Sequence, residues 1–208
     1  MLDNYIKLSD GRIKQEIIKP FEYGLDYSDA YNQSPYKENS EYISYLRYAY
    51  IIGSIGKIPN SVLDVGYGNG GFLSVALNQI PNCFGFDISE YPVPSKCIKV
   101  DSMTDRFYDV ITFFDSLEHF EDISFVKGLK CEYVCISLPW CHNFSDDWFD
   151  KWKHRKPDEH LWHFNKESLI SFMFDNGYLF INGCNIEDQI RKSSFNYPNI
   201  LTAMFKKI

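Results

Sequence analysis

Residues 61–72 read SVLDVGYGNGGF, a segment in which a buried-strand run meets a loop of glycines. Ser61–Val65 is typical of a strand covered on both faces, and a helical pattern follows from Phe72 to Ile80. Glycine has no Cβ, so it permits a tight turn and lets backbone N–H groups approach a ligand closely. The segment therefore predicts a ligand-binding loop between a strand and a helix.

Two carboxylates frame this loop. Gly66, Gly68 and Gly71 fit the spacing G-x-G-x-x-G of dinucleotide-binding loops, a weak signal by itself. Asp64 stands two residues before the first glycine, where it would repel a pyrophosphate but suits a cationic amino group. Asp87 ends the next apolar run, where a carboxylate accepts hydrogen bonds from two ribose hydroxyls. The two acids predict a pocket for an amino-acid nucleoside. A nicotinamide-dependent oxidoreductase and a loop used only for packing are the competing interpretations.

Short apolar runs alternate with helical or mixed stretches through the rest of the chain. The further runs are 83–87, 97–100, 110–114, 133–138, 178–184 and 200–205. One helix is predicted from Asn39-Ser40 to Gly53, and another from Asn165 to Gly177. Apolar strands separated by helices predict an α/β fold with a mostly parallel sheet. The last two runs lack an obvious helix between them, which predicts an antiparallel hairpin.

Length and composition favour one globular domain. The chain has 208 residues, of which 45% are hydrophobic and 24% are charged. We expect residues 1–39 to form an N-terminal cap segment and residues 40–208 to form the main domain. The first segment is rich in tyrosine, and four of its side chains are candidates to close a pocket: Tyr23, Tyr27, Tyr31 and Tyr36.

Charge and cysteine usage exclude several classes of partner. The formal net charge of −7 gives no attraction for nucleic acid or anionic lipid, so neither is expected as a partner. No apolar run approaches the roughly 18 residues that a membrane-spanning helix needs. The six cysteines are scattered without a C-x-x-C pair, which favours buried free thiols in a cytoplasmic protein over a disulfide framework.

Taken in order, four segments of this chain resemble the class I S-adenosylmethionine-dependent methyltransferases, most closely the small type 11/23 methyltransferase domains. The resemblance extends from about Ser40 to Lys207, and the four segments are 62–70, 86–89, 109–120, and 160–165 with 177–178. It implies a Rossmann-like fold with a seven-stranded, mostly parallel sheet and a C-terminal antiparallel hairpin strand. It also implies a methyltransferase that uses S-adenosylmethionine as its cofactor.

The resemblance also implies positions that bind the cofactor. Asp64 and the glycine loop would hold its methionine part, Asp87 its ribose, and Ile88 its adenine ring. Residues 101–102 would lie at the adenine edge, and residues 115–116 would face the methionine part and the reacting methyl group. The complete set is Asp64, Gly66, Tyr67, Gly68, Gly70, Asp87, Ile88, Asp101, Ser102, Asp115 and Ser116. For Asp101, a turn cap is an equally good interpretation.

Two histidines are candidates for a catalytic role. His119 and His163 follow the fourth and fifth apolar runs, and an imidazole that titrates near neutrality can take a proton from an acceptor. Alternatively, Glu118-His119 orders its loop, and His163 anchors another loop or forms a substrate wall. No metal site is predicted, because His160-x-x-His163 has no further spaced ligand to complete a shell.

The acceptor is predicted to be a small molecule, with a hydroxyl of a sugar or another metabolite preferred. The fourth apolar run is not followed by the tetrapeptide Asn/Asp-Pro-Pro-Tyr, which disfavours the amide or base N-methylation that uses it. No basic appended domain is present for a nucleic-acid acceptor. Residues 141–156 form either a lid over the acceptor or a solvated loop. The alternative function is a non-catalytic cofactor-binding module that acts through a protein partner.

Overall fold

The computed structural model describes residues 3–21, 36–191 and 196–208, with the side chains of residues 36–38 left aside. A seven-stranded sheet forms its centre, in the order β5-β4-β3-β6-β7-β10-β9. Its strands are β3 (Ser61–Val65), β4 (Asn82–Phe86), β5 (Ile98–Lys99), β6 (Tyr108–Phe114), β7 (Cys131–Pro139), β9 (Tyr178–Cys184) and β10 (Ile200–Lys207). The last strand of the chain, β10, runs antiparallel to its neighbours β7 and β9. The other strand pairs, from β5 to β7 in the sheet order, are parallel. The predicted fold class is thereby confirmed.

Helices cover both faces of this sheet. They are α1 (Tyr36–Ile55) and α2 (Gly71–Ala76) on one face and α4 (Lys166–Asp175) on the other, whereas α3 (Asp146–Lys151) packs through Phe149 against Tyr5 and Ile13 near the N-terminus. Val62 of β3 belongs to a buried cluster with residues of α1 and α2, and its neighbour Leu63 belongs to a second cluster with residues of α4. Successive side chains of a strand point to opposite faces, so the central strands β3, β6 and β7 are buried at nearly every position, whereas the edge strands β5 and β9 are partly exposed. This explains why the central strands are continuous apolar runs.

A second, three-stranded sheet joins the N-terminus to the main body. It contains β1 (Tyr5–Lys7), β2 (Ile13–Gln15) and β8 (Trp162–His163), all antiparallel. The sequence analysis predicted none of these strands, because runs of two or three residues are too short to show a period. Tyr23, Tyr27 and Tyr31, the expected pocket-closing tyrosines, lie outside the described residues, and Tyr36 is the first residue of α1.

Some predicted helix boundaries were wrong. The first helix begins earlier than Asn39 and includes Gly53; the glycine that follows its end is Gly56, with φ of +69°. The second helix ends at Ala76 rather than Ile80, because its last residues form turns. Helix α4 agrees with the prediction: the Asn165 side chain accepts a hydrogen bond from Ser168 N, as an N-cap does.

Two further expectations concern the chain as a whole. All six cysteines are free thiols, and four of them are buried, as predicted. Within the described ranges, none of the helices combines the length and the apolar character that crossing a bilayer requires.

Candidate functional site

The glycine loop between β3 and α2 has a backbone that only glycine adopts without strain. Gly66, Gly68 and Gly70 have φ of +75°, +51° and +74°. A Cβ on Gly66 would lie 2.6 Å from the Cβ of Ser116, and one on Gly70 would lie 2.7 Å from the ring of Pro94. A Cβ on Gly68 would meet nothing within 4 Å. The loop is therefore packed closely at its two ends and open at its middle, where a ligand can lie against its backbone.

Asp87 connects the end of β4 to this loop. Its two carboxylate oxygens accept hydrogen bonds from Gly68 N at 2.9 Å and Ser89 N at 2.7 Å. The side chain is half-buried, and each oxygen keeps a lone pair for a further donor. Beside it, Ile88 is 74% exposed, so an apolar surface and a fixed carboxylate stand side by side.

Asp64 lies beneath the loop near the end of β3. It is 3% exposed and accepts a hydrogen bond from Thr112 Oγ1 at 2.7 Å. Burial raises the pKa of this carboxyl to about 6, although the Thr112 hydrogen bond and the charge of Arg47 act in the opposite direction. Asp64 is thus a buried carboxyl group that titrates just below neutral pH.

Asp115, directly after β6, is held by two arginines. Arg191 donates to both of its carboxylate oxygens, at 2.7 and 2.6 Å, and Arg47 donates to one of them at 2.6 Å. These charges hold the pKa of Asp115 far below its usual range. Both arginines also contact Glu187, a fully buried carboxylate that accepts a further hydrogen bond from Ser137. The result is a network of two arginines and two acids at the end of the sheet.

The sequence analysis missed three members of this network: Arg47, Glu187 and Arg191. One signal was available, because Arg47 lies four residues from both Ile43 and Ile51 on the buried face of α1. A charged residue on such a face requires partners, and it marks a buried ion-pair site. No comparable pattern surrounds Glu187 or Arg191.

The other predicted cofactor residues occupy varied positions. Ser116 is buried and donates to Val65 O at 2.6 Å, beneath the glycine loop. Tyr67 is buried and its hydroxyl donates to Tyr91 O. After β5, Asp101 is exposed, and the Ser102 hydroxyl accepts a hydrogen bond from Thr104 N at 3.2 Å, as in a capped turn.

The two candidate catalytic histidines lie in different surroundings. His119 is half-buried in a single 3-10 turn, Leu117–His119, that follows Asp115 and Ser116. Burial lowers the pKa of its imidazole, so the ring is neutral near pH 7 and able to accept a proton. The turn thus places His119 at the same sheet end as the glycine loop.

His163 belongs to the smaller sheet, where it pairs with Ile13. Its ring contacts Tyr5, Phe149 and Trp152, with centroid distances of 5.0 to 5.7 Å. Burial lowers its pKa to about 3, and its buried Nε2 has no hydrogen-bond partner among the described residues. The structure thus encloses His163 in aromatic side chains.

The segment after β7 contributes a cluster of aromatic rings. The His142 ring is stacked on Trp140 at 5.5 Å and on Phe144 at 5.3 Å, and Phe144 is 63% exposed. Trp148 Nε1 donates to Tyr197 Oη at 3.0 Å at the side of this stack. We call these five residues the aromatic stack. Three of its members, His142, Phe144 and Trp148, belong to residues 141–156, the segment considered as a lid.

Comparisons with known proteins agree with this geometry. Residues 36–181 match the sequence profile of a family described as a methyltransferase domain. No curated protein sequence matches the chain significantly.

One similar solved structure is the 1,6-didemethyltoxoflavin-N1-methyltransferase of Burkholderia thailandensis, crystallised with 1,6-didemethyltoxoflavin and S-adenosylhomocysteine. Its sequence is 13% identical, and the two structures superpose with a TM-score of 0.59 over 98% of this chain and 99% of that one. The magnesium protoporphyrin IX methyltransferase of Synechocystis PCC 6803 is 14% identical, with a TM-score of 0.58 over 91% and 90% of the two chains. At these identities, the likeness shows a common fold.

Proposed function

The chain belongs to the methyltransferase domain family, and on that premise we propose that it transfers the methyl group of its cofactor, S-adenosylmethionine, to a hydroxyl of a sugar or another small metabolite. The observation that carries this proposal is the open glycine loop with Asp87 fixed at its middle through Gly68 N. Backbone N–H groups, a fixed carboxylate with free lone pairs and an exposed apolar side chain stand together there.

Each part of the cofactor has candidate partners on this edge of the sheet. We assign the ribose hydroxyls to Asp87, whose oxygens keep free lone pairs, and the adenine ring to the exposed Ile88. The methionine part would lie along residues 66–70, which include Tyr67, next to the buried Asp64 at the end of β3. Asp115 and Ser116 would face it from the end of β6. Asp101 and Ser102 remain candidates for the adenine edge.

The ion pairs of Asp115 support its place near the methionine part. A free carboxylate there would repel the carboxylate of methionine, whereas Arg47 and Arg191 already compensate the charge of Asp115. Because both of its oxygens are held at hydrogen-bond distance by Arg191, the side chain is fixed before any ligand binds. A fixed group of this kind orients a ligand without further loss of conformational entropy.

Methyl transfer from a sulfonium needs little chemistry from the protein, because the cofactor supplies the reactive group. The chain has to align the acceptor oxygen with the methyl carbon, exclude water and receive the hydroxyl proton. His119 is the better placed proton acceptor, since it is neutral and half-buried next to Asp115 and Ser116. His163 would serve only an acceptor that reaches into its aromatic enclosure.

The acceptor assignment is supported by two features. The aromatic stack offers flat faces such as those that bind sugars or planar rings. Two of the positive charges in residues 141–156 are already engaged, because Arg155 pairs with Asp150 at 3.0 Å and Lys156 with Glu159 at 2.8 Å. A neutral small molecule therefore fits this surface better than a strongly anionic one.

Calorimetric titration tests the proposal first, with S-adenosylmethionine and S-adenosylhomocysteine as ligands and NAD as the control. We expect micromolar binding of the first two and none of NAD. A screen of hydroxylated acceptors with methyl-labelled cofactor follows. Binding of NAD alone would refute the assignment of the glycine loop. Cofactor binding without turnover on any acceptor, together with a stable protein partner, would instead support the non-catalytic alternative.

A further inference from the structure

Three side chains with metal-ligating atoms meet next to the end of β6. Glu118 and His119 come from the 3-10 turn after that strand, and His160 comes from the segment before β8. One ligand atom of each lies within 4.8 Å of the others. The two imidazole rings meet edge to face, with centroids 4.8 Å apart. We call these three residues the Glu-His-His cluster.

Glu118 gives an independent indication of a missing ligand. Its side chain is buried, and neither of its carboxylate oxygens has a hydrogen-bond partner in the described part of the chain. A carboxylate removed from water and left without donors is strongly disfavoured, so it needs either a proton or a bound cation. The carboxyl group therefore has an unmet demand for positive charge.

The hydrogen bond of His160 leaves one ring nitrogen ready to bind a metal. Its Nδ1 lies 2.8 Å from the carbonyl oxygen of His154. A carbonyl only accepts, so Nδ1 carries the hydrogen and Nε2 keeps a lone pair. Histidine ligands of metals usually donate their other N–H to a backbone carbonyl or a carboxylate in this way.

From this arrangement we propose that Glu118, His119 and His160 bind a divalent first-row transition cation, with Zn²⁺ the best match. Two imidazoles and one carboxylate form a donor set that suits zinc, whereas Mg²⁺ and Ca²⁺ prefer oxygen ligands alone. Metal–ligand bonds of about 2.0–2.2 Å require the three side chains to close by roughly 1 Å around the ion. Three protein ligands leave a coordination position open.

The charges around the cluster are of both signs. Glu159 lies beside it, with Oε1 3.8 Å from His160 Nε2, and it is paired with Lys156 at 2.8 Å. Asp115 contributes negative charge and Arg191 positive charge to the surroundings of Glu118.

The position of the cluster suggests what the cation does. His119 N donates to Ser116 O at 3.1 Å, and Ser116 in turn supports the glycine loop through Val65 O. The open coordination position would take the hydroxyl oxygen of the acceptor and lower its pKa, so that the hydroxyl proton would leave to solvent water while the oxygen takes the methyl carbon and S-adenosylhomocysteine departs. His119 would then act on the acceptor through the cation rather than as a free base. This role rests on the proposed function, whereas the cation site itself does not.

Equilibrium dialysis of the tag-free chain against Zn²⁺ tests the site, with bound metal measured by mass spectrometry and Co²⁺ absorption as a spectroscopic signature of imidazole ligands. We expect one Zn²⁺ per chain and no displacement by Mg²⁺. Glu118→Gln and His160→Ala should each weaken Zn²⁺ binding by more than about 100-fold, since changes in outer-shell partners alone cost 10- to 100-fold. Two matched controls outside the cluster, Glu132→Gln and His142→Gln, should bind Zn²⁺ like the unaltered chain.

Circular dichroism and a titration with S-adenosylhomocysteine check each variant for folding. If Glu118→Gln does not fold, His160→Ala decides the question alone. Absence of stoichiometric Zn²⁺ in the folded chain would overturn the site, as would a folded Glu118→Gln variant that binds Zn²⁺ as tightly as the unaltered chain. If the chain binds Zn²⁺ but not S-adenosylhomocysteine, the cation site stands and the proposed function is refuted. If it binds S-adenosylhomocysteine but not Zn²⁺, the cation site is refuted and the proposed function stands.

Discussion

Replacement of Asp87 by alanine is the most direct test of how the cofactor is held. The carboxylate already accepts hydrogen bonds from Gly68 N and Ser89 N, so its position is fixed before a ligand binds. We assign its remaining lone pairs to the two ribose hydroxyls. Hydrogen bonds to a charged group contribute about 1.5–3 kcal/mol. The variant should therefore bind S-adenosylhomocysteine about 10- to 150-fold more weakly.

Part of that loss could come from disorder of the loop, and a matched variant measures this part. Asp122 makes the same kind of turn far along the chain, accepting from Ser124 N and Ser124 Oγ, both at 2.8 Å. Asp122→Ala should leave the affinity for S-adenosylhomocysteine unchanged and show what the loss of such a turn does to the free energy of unfolding. Both affinities are measured by isothermal titration calorimetry.

A ligand lacking the 2′-hydroxyl separates the ribose contact from indirect effects. 2′-Deoxy-S-adenosylhomocysteine should bind the unaltered chain more weakly than the parent compound does, and this difference should disappear in Asp87→Ala. Unchanged affinity of a folded Asp87→Ala variant for S-adenosylhomocysteine would refute the ribose assignment. So would a 2′-deoxy penalty that persists in the variant.

Three further predictions concern the loop and the buried charges. Gly66→Ala should destabilise the fold by about 1–3 kcal/mol and weaken S-adenosylhomocysteine binding, because the φ of Gly66 is +75° and the new Cβ would lie 2.6 Å from the Cβ of Ser116. Urea unfolding and calorimetry measure the two effects. In the control Gly128→Ala, the new Cβ would have no atom within 4 Å, so neither quantity should change. Arg47→Met should lower the free energy of unfolding by about 3 kcal/mol, because it leaves the buried Glu187 with one arginine fewer. If urea unfolding shows a loss no larger than that caused by removing an exposed ion pair, the network does not stabilise the fold. The pKa of Asp64 is raised by burial from 3.8 to about 6, so its folded state binds the proton more tightly than its unfolded state, and this group by itself lowers the free energy of unfolding by about 2–3 kcal/mol as pH rises from 4 to 7. Burial lowers the pKa of His163, which acts in the opposite direction over this range, so the contribution of Asp64 is measured against Asp64→Asn. In urea unfolding at several pH values, the difference in free energy of unfolding between the two chains should change by about 2–3 kcal/mol between pH 4 and pH 7.

The sequence by itself was sufficient for the central sheet and the glycine loop. The predicted run Ser61–Val65 coincides with β3, and the run 178–184 coincides with β9. Both signals are local: strand burial on two faces leaves a continuous apolar run, and positive φ in a tight loop selects glycine. The order of the motifs along the chain then indicated the methyltransferase fold.

The N-terminal region was not predictable in the same way. The strands β1 and β2 are three residues each; β1 pairs with β2, and β2 pairs on its other side with β8, about 150 residues later in the chain. The expectation of a cap segment over residues 1–39 stays a prediction. The family match begins at residue 36, within α1.

Only the tertiary structure decided which charged groups come together. Arg47 lies 140 residues from Glu187, and Asp115 lies 76 residues from Arg191, yet each pair shares hydrogen bonds. Glu118 and His160 likewise come from separate segments, and their proximity is what suggests a metal site where the sequence predicted none. Spacing along the chain determines which residues share a strand or a turn, because those contacts are local. Contacts between distant segments depend on how the elements pack, and no local pattern records them.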